Sequence, residues 1–526
     1  VDAVSTSQSF ADVTRQLASA QPERVALSFE GRETTYGEFE KHTNQVANAL
    51  VAAGVKKGDR VAFFGKNSDA YFEVFFAASK IGGAATPINW RLAGPEVAYI
   101  LQDSRAPILF VGPEFIDIVR KIAGECPDLK MVIAVEEGAQ DWPSFTQWRD
   151  AQSDAPPSIA LGPEDDVLQL YTSGTTGRPK GVMLTARNFL SLQDVIDRTG
   201  AEWAQWSPED VSLIAMPIGH IGGTGWGFWS LFRGAKGVVL RDFDPGRILD
   251  LIEHENINKL FLVPSALQAI VTHPRARQID YRRLKYIAYG ASPIPLALLR
   301  ECVEVFGCGF VQMYGMTETT GTIVALPPED HTTDGSPKMR SAGKALPGVE
   351  LAILDPAGNR LAADEVGEIA IRSESNMKGY WNLPDATAAT VDKDGWLRTG
   401  DAGYLDEEGY LYIHDRVKDM IISGGENVYP AEVENAIYGH PDVAEVAVIG
   451  VPSQRWGEEV KAIIVPKPGR VPQEEDIIRW ARERIAAFKT PKSVDVIEAF
   501  PRTATGKVLR RQLREKYWQG YERKVN

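Results

Sequence analysis

The 526 residues include only three cysteines, Cys126, Cys302 and Cys308. An odd number without paired spacing argues against a disulfide framework and for a reducing compartment, with the cytoplasm as the default location. Histidines number only seven and form no metal-ligand cluster. Nowhere do roughly 20 apolar residues run together as a bilayer span requires, and Val1–Phe10 lacks the cationic and apolar parts of a secretory signal. A basic surplus is also missing. The formal charge of −14 disfavours nonspecific nucleic-acid binding, which needs cations against phosphates. No internal repeat is visible. What is there is ordinary globular material, 44% hydrophobic and 24% charged, in a chain long enough for two or more domains.

Along the chain, Glu38–Ala53 carries Phe39, Thr43, Val46, Ala47 and Leu50 on one helical stripe that Gly54 ends. A short strand Val61–Phe64, a helix Asp69–Lys80 and a strand Ala84–Ile88 follow. Such alternation predicts α/β layers with parallel sheets. It resumes after the proline-containing stretch Ser153–Pro163, read here as a connection between two doubly wound βαβ subdomains. From about Gly343 the texture becomes short strands between turns (Val349–Leu354, Gly367–Arg372, Tyr410–His414), predicting a small β-barrel. Beyond Arg416 the pattern is α+β, with strands Glu445–Val451 and Val460–Val465 and a helix Glu475–Phe488. The expected division is 1–415 and 416–526.

The densest chemistry lies in Tyr171-Thr-Ser-Gly-Thr-Thr-Gly-Arg-Pro-Lys-Gly181. Thr172, Ser173, Gly174, Thr175, Thr176 and Lys180 supply hydroxyls, unhindered backbone N–H groups and a cation, a set suited to wrapping phosphate oxygens. Lys180 is followed by Gly181, so the GxxxxGK[ST] spacing of the P-loop is missing and kinase or GTPase chemistry is disfavoured. There is no Gly-x-Ser-x-Gly elbow for a hydrolase either. Near the end, Arg502–Asn526 holds eight cations against Glu515 and Glu522, a basic surface for polyanionic ligands or a solvated helix face.

The 171–181 segment resembles the phosphate loop of the adenylate-forming superfamily, which includes acyl-CoA synthetases. The resemblance covers most of the chain: Tyr289-Gly-Ala-Ser292, Gln312-Met-Tyr-Gly-Met-Thr-Glu318, Gly367–Arg372, Trp396-Leu-Arg-Thr-Gly-Asp401, His414–Asn427 and Pro501-Arg-Thr-Ala-Thr-Gly-Lys507. It implies an adenine site at Gly290, Ala291, Ser292 and Gly315 with Tyr314 stacked on the base. Thr317 would contact the α-phosphate, Glu318 would hold Mg²⁺, and Asp401 and Arg416 would meet the ribose. Lys507 would be the catalytic lysine, Lys418 the hinge, and Gly424 and Gly425 the coenzyme A face. His220 would gate an acyl pocket lined by Gly223, Trp226, Gly290, Met313, Gly315 and Val324. One departure stands out: Ala186 replaces a histidine that many members carry, which bears on local packing.

The implied activity is that of an ATP-dependent acyl-CoA synthetase with ATP, Mg²⁺ and coenzyme A. A carboxylate attacks the α-phosphorus to give acyl-AMP and pyrophosphate, and the CoA thiolate then displaces AMP. Small and apolar pocket candidates favour an uncharged acid, and the several glycines suggest depth, hence a medium- or long-chain fatty acid. The alternatives are an aryl or cinnamic-type acid, or a free-standing enzyme loading a carrier protein. An amino-acid adenylation domain lacks its acidic ammonium partner in Ile221–Trp226, nothing argues for luciferase-like oxygen chemistry, and a non-enzymatic nucleotide binder would not keep Lys507 and Glu318. Oligomeric state is open, a homodimer being one option.

Overall fold

The computed structural model describes residues 9–136, 141–172, 178–292, 294–416, 419–423, 426–453, 455–502 and 508–519. Among them the strands form four sheets. The first runs, edge to edge, Gly379–Tyr380, Lys180–Thr185, Asp166–Thr172, Ala84–Ile88, Arg60–Phe64, Ile108–Val111, Met131–Ala134. From Asp166–Thr172 to Met131–Ala134 the strands are parallel, Lys180–Thr185 and Gly379–Tyr380 are added antiparallel, and Arg60–Phe64 and Ala84–Ile88 are buried at every position, as strands covered on both faces must be. The second runs Lys344–Ala345, Gly321–Leu326, Gly309–Met316, Tyr286–Gly290, Lys259–Leu262, Val211–Ile214, Lys236–Val239, Val25–Phe29, Arg32–Thr35, again parallel inside with antiparallel edges.

Helix Asp69–Lys80 starts where the Ser68 hydroxyl accepts from the Tyr71 N–H, and it is buried from Ala70 through Lys80. Phe72, Phe75 and Phe76 on it join Phe10, Phe189 and Phe228 in one aromatic core. Helix Tyr36–Ala52 opens on a capping box between Thr35 and Glu38. Its Glu40 and Asn44 receive the buried ammonium of Lys80 at 2.7 Å each, and burial pulls that group down to about 8. Ala186, the departure from the family pattern, is buried in the same core.

Three sequence expectations change. The stretch 153–163 does not separate the subdomains, because Asp166–Thr172 pairs with Ala84–Ile88 in the first sheet while Val25–Phe29 lies in the second. Chain order and sheet membership part company because a parallel strand is reached by a crossover, not from its neighbour. The third block is a four-stranded antiparallel sheet (Glu350–Leu354, Gly367–Arg372, Trp396–Leu405, Leu411–Arg416) that no pairing among the described residues closes into a barrel, the last strand being bridged at Leu411 to Gly343 instead. In the last block, helix Glu474–Arg482 ends before Phe488, which is exposed.

That last block packs its helices on the strands Glu426–Val428, Ile421–Ser423, Gly457–Pro466, Val443–Ser453 and Ser493–Val496. Its basic tail is not a bare cationic surface. Arg502 pairs with Glu445, Arg510 with Glu434, Arg514 with Asp419 and Lys516 with Asp495, so these charges hold the tail to its own block, while Arg511 pairs with Glu515 within the tail. No helix among the described residues is long and apolar enough to cross a membrane, and the three cysteines are free.

Candidate active site

The motif residues gather where the two large sheets meet. Strands Asp166–Thr172 and Lys180–Thr185 pair with Thr172 opposite Lys180, so both ends of the phosphate-loop segment lie side by side. Ser173, Gly174, Thr175 and Thr176 lie outside the described residues. In the second sheet, the parallel strands Tyr286–Gly290 and Gly309–Met316 end on their motifs, the position at which parallel sheets offer ligands a crevice. A contact joins the two sheets: the Thr172 hydroxyl reaches Glu318 Oε1 at 3.4 Å.

Backbone strain marks both motif ends. Ala291 has φ +67° and Thr320 φ +63°. The left-handed region is unfavourable for a residue with a Cβ and more so for a branched one. Thr320 is held there by its hydroxyl bond to the Ser375 carbonyl at 2.6 Å, and Thr319 closes the turn on the Met316 and Gly321 carbonyls. This turn carries Thr317, half-buried, and Glu318, buried.

Glu318 Oε1 also accepts from the Tyr380 hydroxyl at 2.9 Å. Its Oε2 has no hydrogen-bond partner among the described residues. One hard anionic oxygen of this kind fits Mg²⁺, which takes one or two carboxylates and completes its shell with phosphate oxygens and water. Among the described residues there is no dedicated cage of three or more metal-ligating side chains.

On the nucleoside side, the Tyr314 hydroxyl donates to Asp401 Oδ2 at 2.8 Å, and Asp401 lies in register with Arg416 on the next strand. An aromatic face and an oriented carboxylate therefore stand together, as a base and a ribose would need. The Arg416 side chain, Lys418, Gly424, Gly425 and Lys507 lie outside the described residues. Behind this wall, Tyr289 OH lies 3.0 Å from His331 Nε2, and His331 Nδ1 lies 2.9 Å from the Pro327 carbonyl. A carbonyl only accepts, so Nδ1 carries the proton and Nε2 is left as an acceptor facing the Tyr289 hydroxyl, whose single proton also reaches Gln312 Oε1 at 3.2 Å. Burial pushes His331 down to about 4, well below its ordinary 6.5. A depressed histidine favours the folded state above 6.5, and that stability is lost as pH falls towards 4. In denaturant titrations, His331→Gln should reduce the stability lost between pH 7 and pH 5 by about 2 kcal/mol. An unchanged loss would mean that His331 is not held neutral by its pocket.

His220 precedes the helix Ile221–Phe232, and its Nε2 faces the Asn89 side-chain amide at 2.9 Å. Trp226 on that helix meets Trp206 edge-on at 5.2 Å and Phe261 at 6.0 Å, and its buried indole N–H has no partner among the described residues. The glycines proposed for the pocket have a different reason. A Cβ on Gly223 would lie 2.2 Å from the Pro217 carbonyl oxygen, on Gly290 2.1 Å from that of Met313, and on Gly315 1.8 Å from that of Gly321. Each permits a close backbone approach, so they do not measure pocket depth. Val324 has no exposed surface and packs in the core with Val311 and Ile323, while Met313 is half-buried.

Sequence reasoning missed Asn89, Tyr380 and the network beneath the loop. There the buried Arg60 guanidinium binds Asp166 at 2.7 Å and Gln169 at 2.8 Å and lies 3.7 Å from the centre of the Trp381 ring. Gln169 continues to Tyr171, whose hydroxyl donates to Asp103 at 2.6 Å. A polar Gln169 inside the apolar run Val167-Leu-Gln-Leu170 was the available signal.

A family model described as AMP-binding enzyme matches residues 14–381, and one described as AMP-binding enzyme C-terminal domain matches 432–507. The chain is 42% identical to the fatty acid–[acyl-carrier-protein] ligase ScoC of Streptomyces coeruleorubidus, over 99% of this chain and 98% of that protein. It is 38% identical to a feruloyl-CoA synthase of an Amycolatopsis species, over 95% and 97%. The ATP-bound structure of MatB from Rhodopseudomonas palustris superposes with a TM-score of 0.87 and its apo structure with 0.77, both at 32% identity over 97% of this chain and 100% of that one.

Proposed function

The chain belongs to the AMP-binding enzyme family and is an acid–thiol ligase, and from that premise we propose that it joins a fatty acid to coenzyme A through an acyl-AMP intermediate. The observation that carries the adenylating part is the convergence of Thr172, Glu318, Tyr314 and Asp401 from the two large sheets and the four-stranded one. Phosphoryl-type transfer needs positioning and charge stabilisation more than covalent help from the protein. Thr172, Lys180 and Thr317 would hold phosphate oxygens, Tyr314 and Asp401 the nucleoside, and Glu318 would hold Mg²⁺. When bound, the ion neutralises charge developing on the phosphates. With the domain boundary near residue 416, the C-terminal block would bring Lys507 to the first step and the Gly424–Gly425 face to the second.

Likeness to ScoC supports a fatty acyl tail, and it also favours a second reading in which the thiol belongs to an acyl carrier protein. Feruloyl-CoA synthase likeness and the Trp206–Trp226–Phe261 cluster support an aryl acid as the alternative tail. A panel of fatty acids of graded length and cinnamic-type acids, each assayed for AMP release with CoA and with a phosphopantetheinylated carrier protein, separates these readings. Fatty acids with CoA should give kcat/KM values at least tenfold above the other combinations, the scale that pocket contacts supply. Trp226→Leu should change the ranking of acids while ATP KM stays within about twofold. If the ranking is unchanged, Trp226 does not face the acid; if cinnamic acids or the carrier protein lead, the corresponding alternative replaces the proposal.

A further inference from the structure

Residues 377–381 form a strap across the candidate site. The Met377 N–H donates to the Glu318 carbonyl at 2.7 Å, the Lys378 N–H to the Met183 carbonyl at 3.1 Å and the Trp381 N–H to the Gly181 carbonyl at 2.7 Å. Its side chains are pinned as well. Lys378 Nζ lies 2.8 Å from Asp166, the Trp381 indole N–H donates to the Asp103 carbonyl at 2.8 Å, and Arg60 covers the Trp381 ring. Tyr380 sits between these anchors, buried, with its hydroxyl on Glu318 Oε1 at 2.9 Å and the Lys180 ammonium 4.8 Å from the centre of its ring.

One aromatic side chain therefore holds a carboxylate at its edge and a cation on its face. Glu318 and Lys180 make no ion pair with each other. An ammonium and a carboxylate that meet in one site pair with each other, leaving neither for a ligand. The ring keeps them apart. Its hydroxyl occupies one side of the carboxylate and leaves Oε2 open, while its π face supports the ammonium in a half-buried place where a cation–π contact is worth about 0.5–2 kcal/mol.

We propose that Tyr380 is a positioning residue for adenylation, orienting Glu318 towards the metal of the metal–nucleotide complex and keeping Lys180 from neutralising it. The inference rests on the reading of Glu318 as the residue that holds Mg²⁺. Tyr380→Phe deletes the hydroxyl and keeps the ring, so it should disturb metal use and leave metal-free nucleotide binding intact. Partners of this kind typically contribute 10- to 100-fold to metal affinity.

The test is calorimetric titration of the full chain with ATP, with and without Mg²⁺, beside the Mg²⁺ concentration that half-saturates acid-dependent pyrophosphate exchange. Tyr380→Phe should cut the Mg²⁺ enhancement of ATP affinity by about tenfold and raise the half-saturating Mg²⁺ by a similar factor. ATP affinity without metal and the thermal midpoint should stay at parental values. Tyr380→Leu, which removes the ring too, should also weaken metal-free ATP binding, because Lys180 loses its support. Glu318→Gln separates the two levels of the argument. If Glu318→Gln loses the enhancement and Tyr380→Phe keeps it, the inference about Tyr380 is wrong and the Glu318 reading stands. If both keep it, the Glu318 reading falls and takes the inference with it. A lowered thermal midpoint with equal losses of affinity in the presence and absence of Mg²⁺ would make Tyr380 structural only and overturn the proposal.

Discussion

Lys507→Ala should slow acyl-AMP formation by about 10²–10³, the scale expected when one preorganised charge at a transferring phosphate is removed. The described residues before and after Lys507 pair with each other: the Leu509 N–H donates to the Pro501 carbonyl at 2.8 Å, and Arg502 bridges to Val508. Downstream, Arg510 on Glu434 at 2.8 Å and Arg514 on Asp419 at 2.9 Å fix the short helix Arg510–Glu515 to its block. The described residues on either side of Lys507 are therefore firmly held, as preorganisation requires. Transfer of the acyl group from preformed acyl-AMP to CoA should remain near the parental rate, because that step no longer builds charge on a pyrophosphate. Gly425→Leu should show the reverse pattern by obstructing the thiol path. The two half-reactions are timed separately with pyrophosphate exchange and with synthetic acyl-AMP plus CoA. Equal slowing of both by Lys507→Ala would remove the lysine from its proposed role.

The second large effect is on stability. Arg60→Met should destabilise the N-terminal fold by about 3–5 kcal/mol, because it leaves a buried carboxylate without its guanidinium. Arg60 is 3% exposed and reaches Asp166, Gln169, the Gly58 carbonyl and the Trp381 ring. Burial lowers its pKa, and the Asp166 carboxylate beside it works in the opposite direction. Lys378, also on Asp166 at 2.8 Å, is nearly half exposed and screened by water, so it offsets only part of the loss. Urea denaturation followed by tryptophan fluorescence checks this. A change below about 1 kcal/mol would show that the network is not a stability element.

Much of this architecture was legible because local signals agreed with the final packing. The helix Asp69–Lys80 and the strands Ala84–Ile88 and Gly367–Arg372 have the bounds their patterns suggest, since Ser68 caps the first and buried apolar runs define the others. What the pattern hid was relational. That Val25–Phe29 joins the second sheet and Asp166–Thr172 the first follows from crossovers that a one-dimensional pattern does not encode. The bridge from Leu411 of the four-stranded sheet to Gly343 is of the same kind. In the site, Glu318 and Tyr314 were legible as motif chemistry, whereas Tyr380 lies 62 residues from the carboxylate it touches. The glycines misled for a physical reason: a missing side chain marks empty space and a crowded backbone equally well, and at Gly223, Gly290 and Gly315 it is the backbone that needs the room.

The central claim is that ATP is cleaved between its α- and β-phosphates by a carboxylic acid. Exchange of labelled pyrophosphate into ATP tests it most directly. With a fatty acid and Mg²⁺ present and no CoA, label should enter ATP at a rate that falls to background when the acid is omitted, and adding CoA should yield AMP and thioester in equal amounts. Exchange that ignores the acid, or release of ADP and orthophosphate in place of AMP and pyrophosphate, would contradict the account.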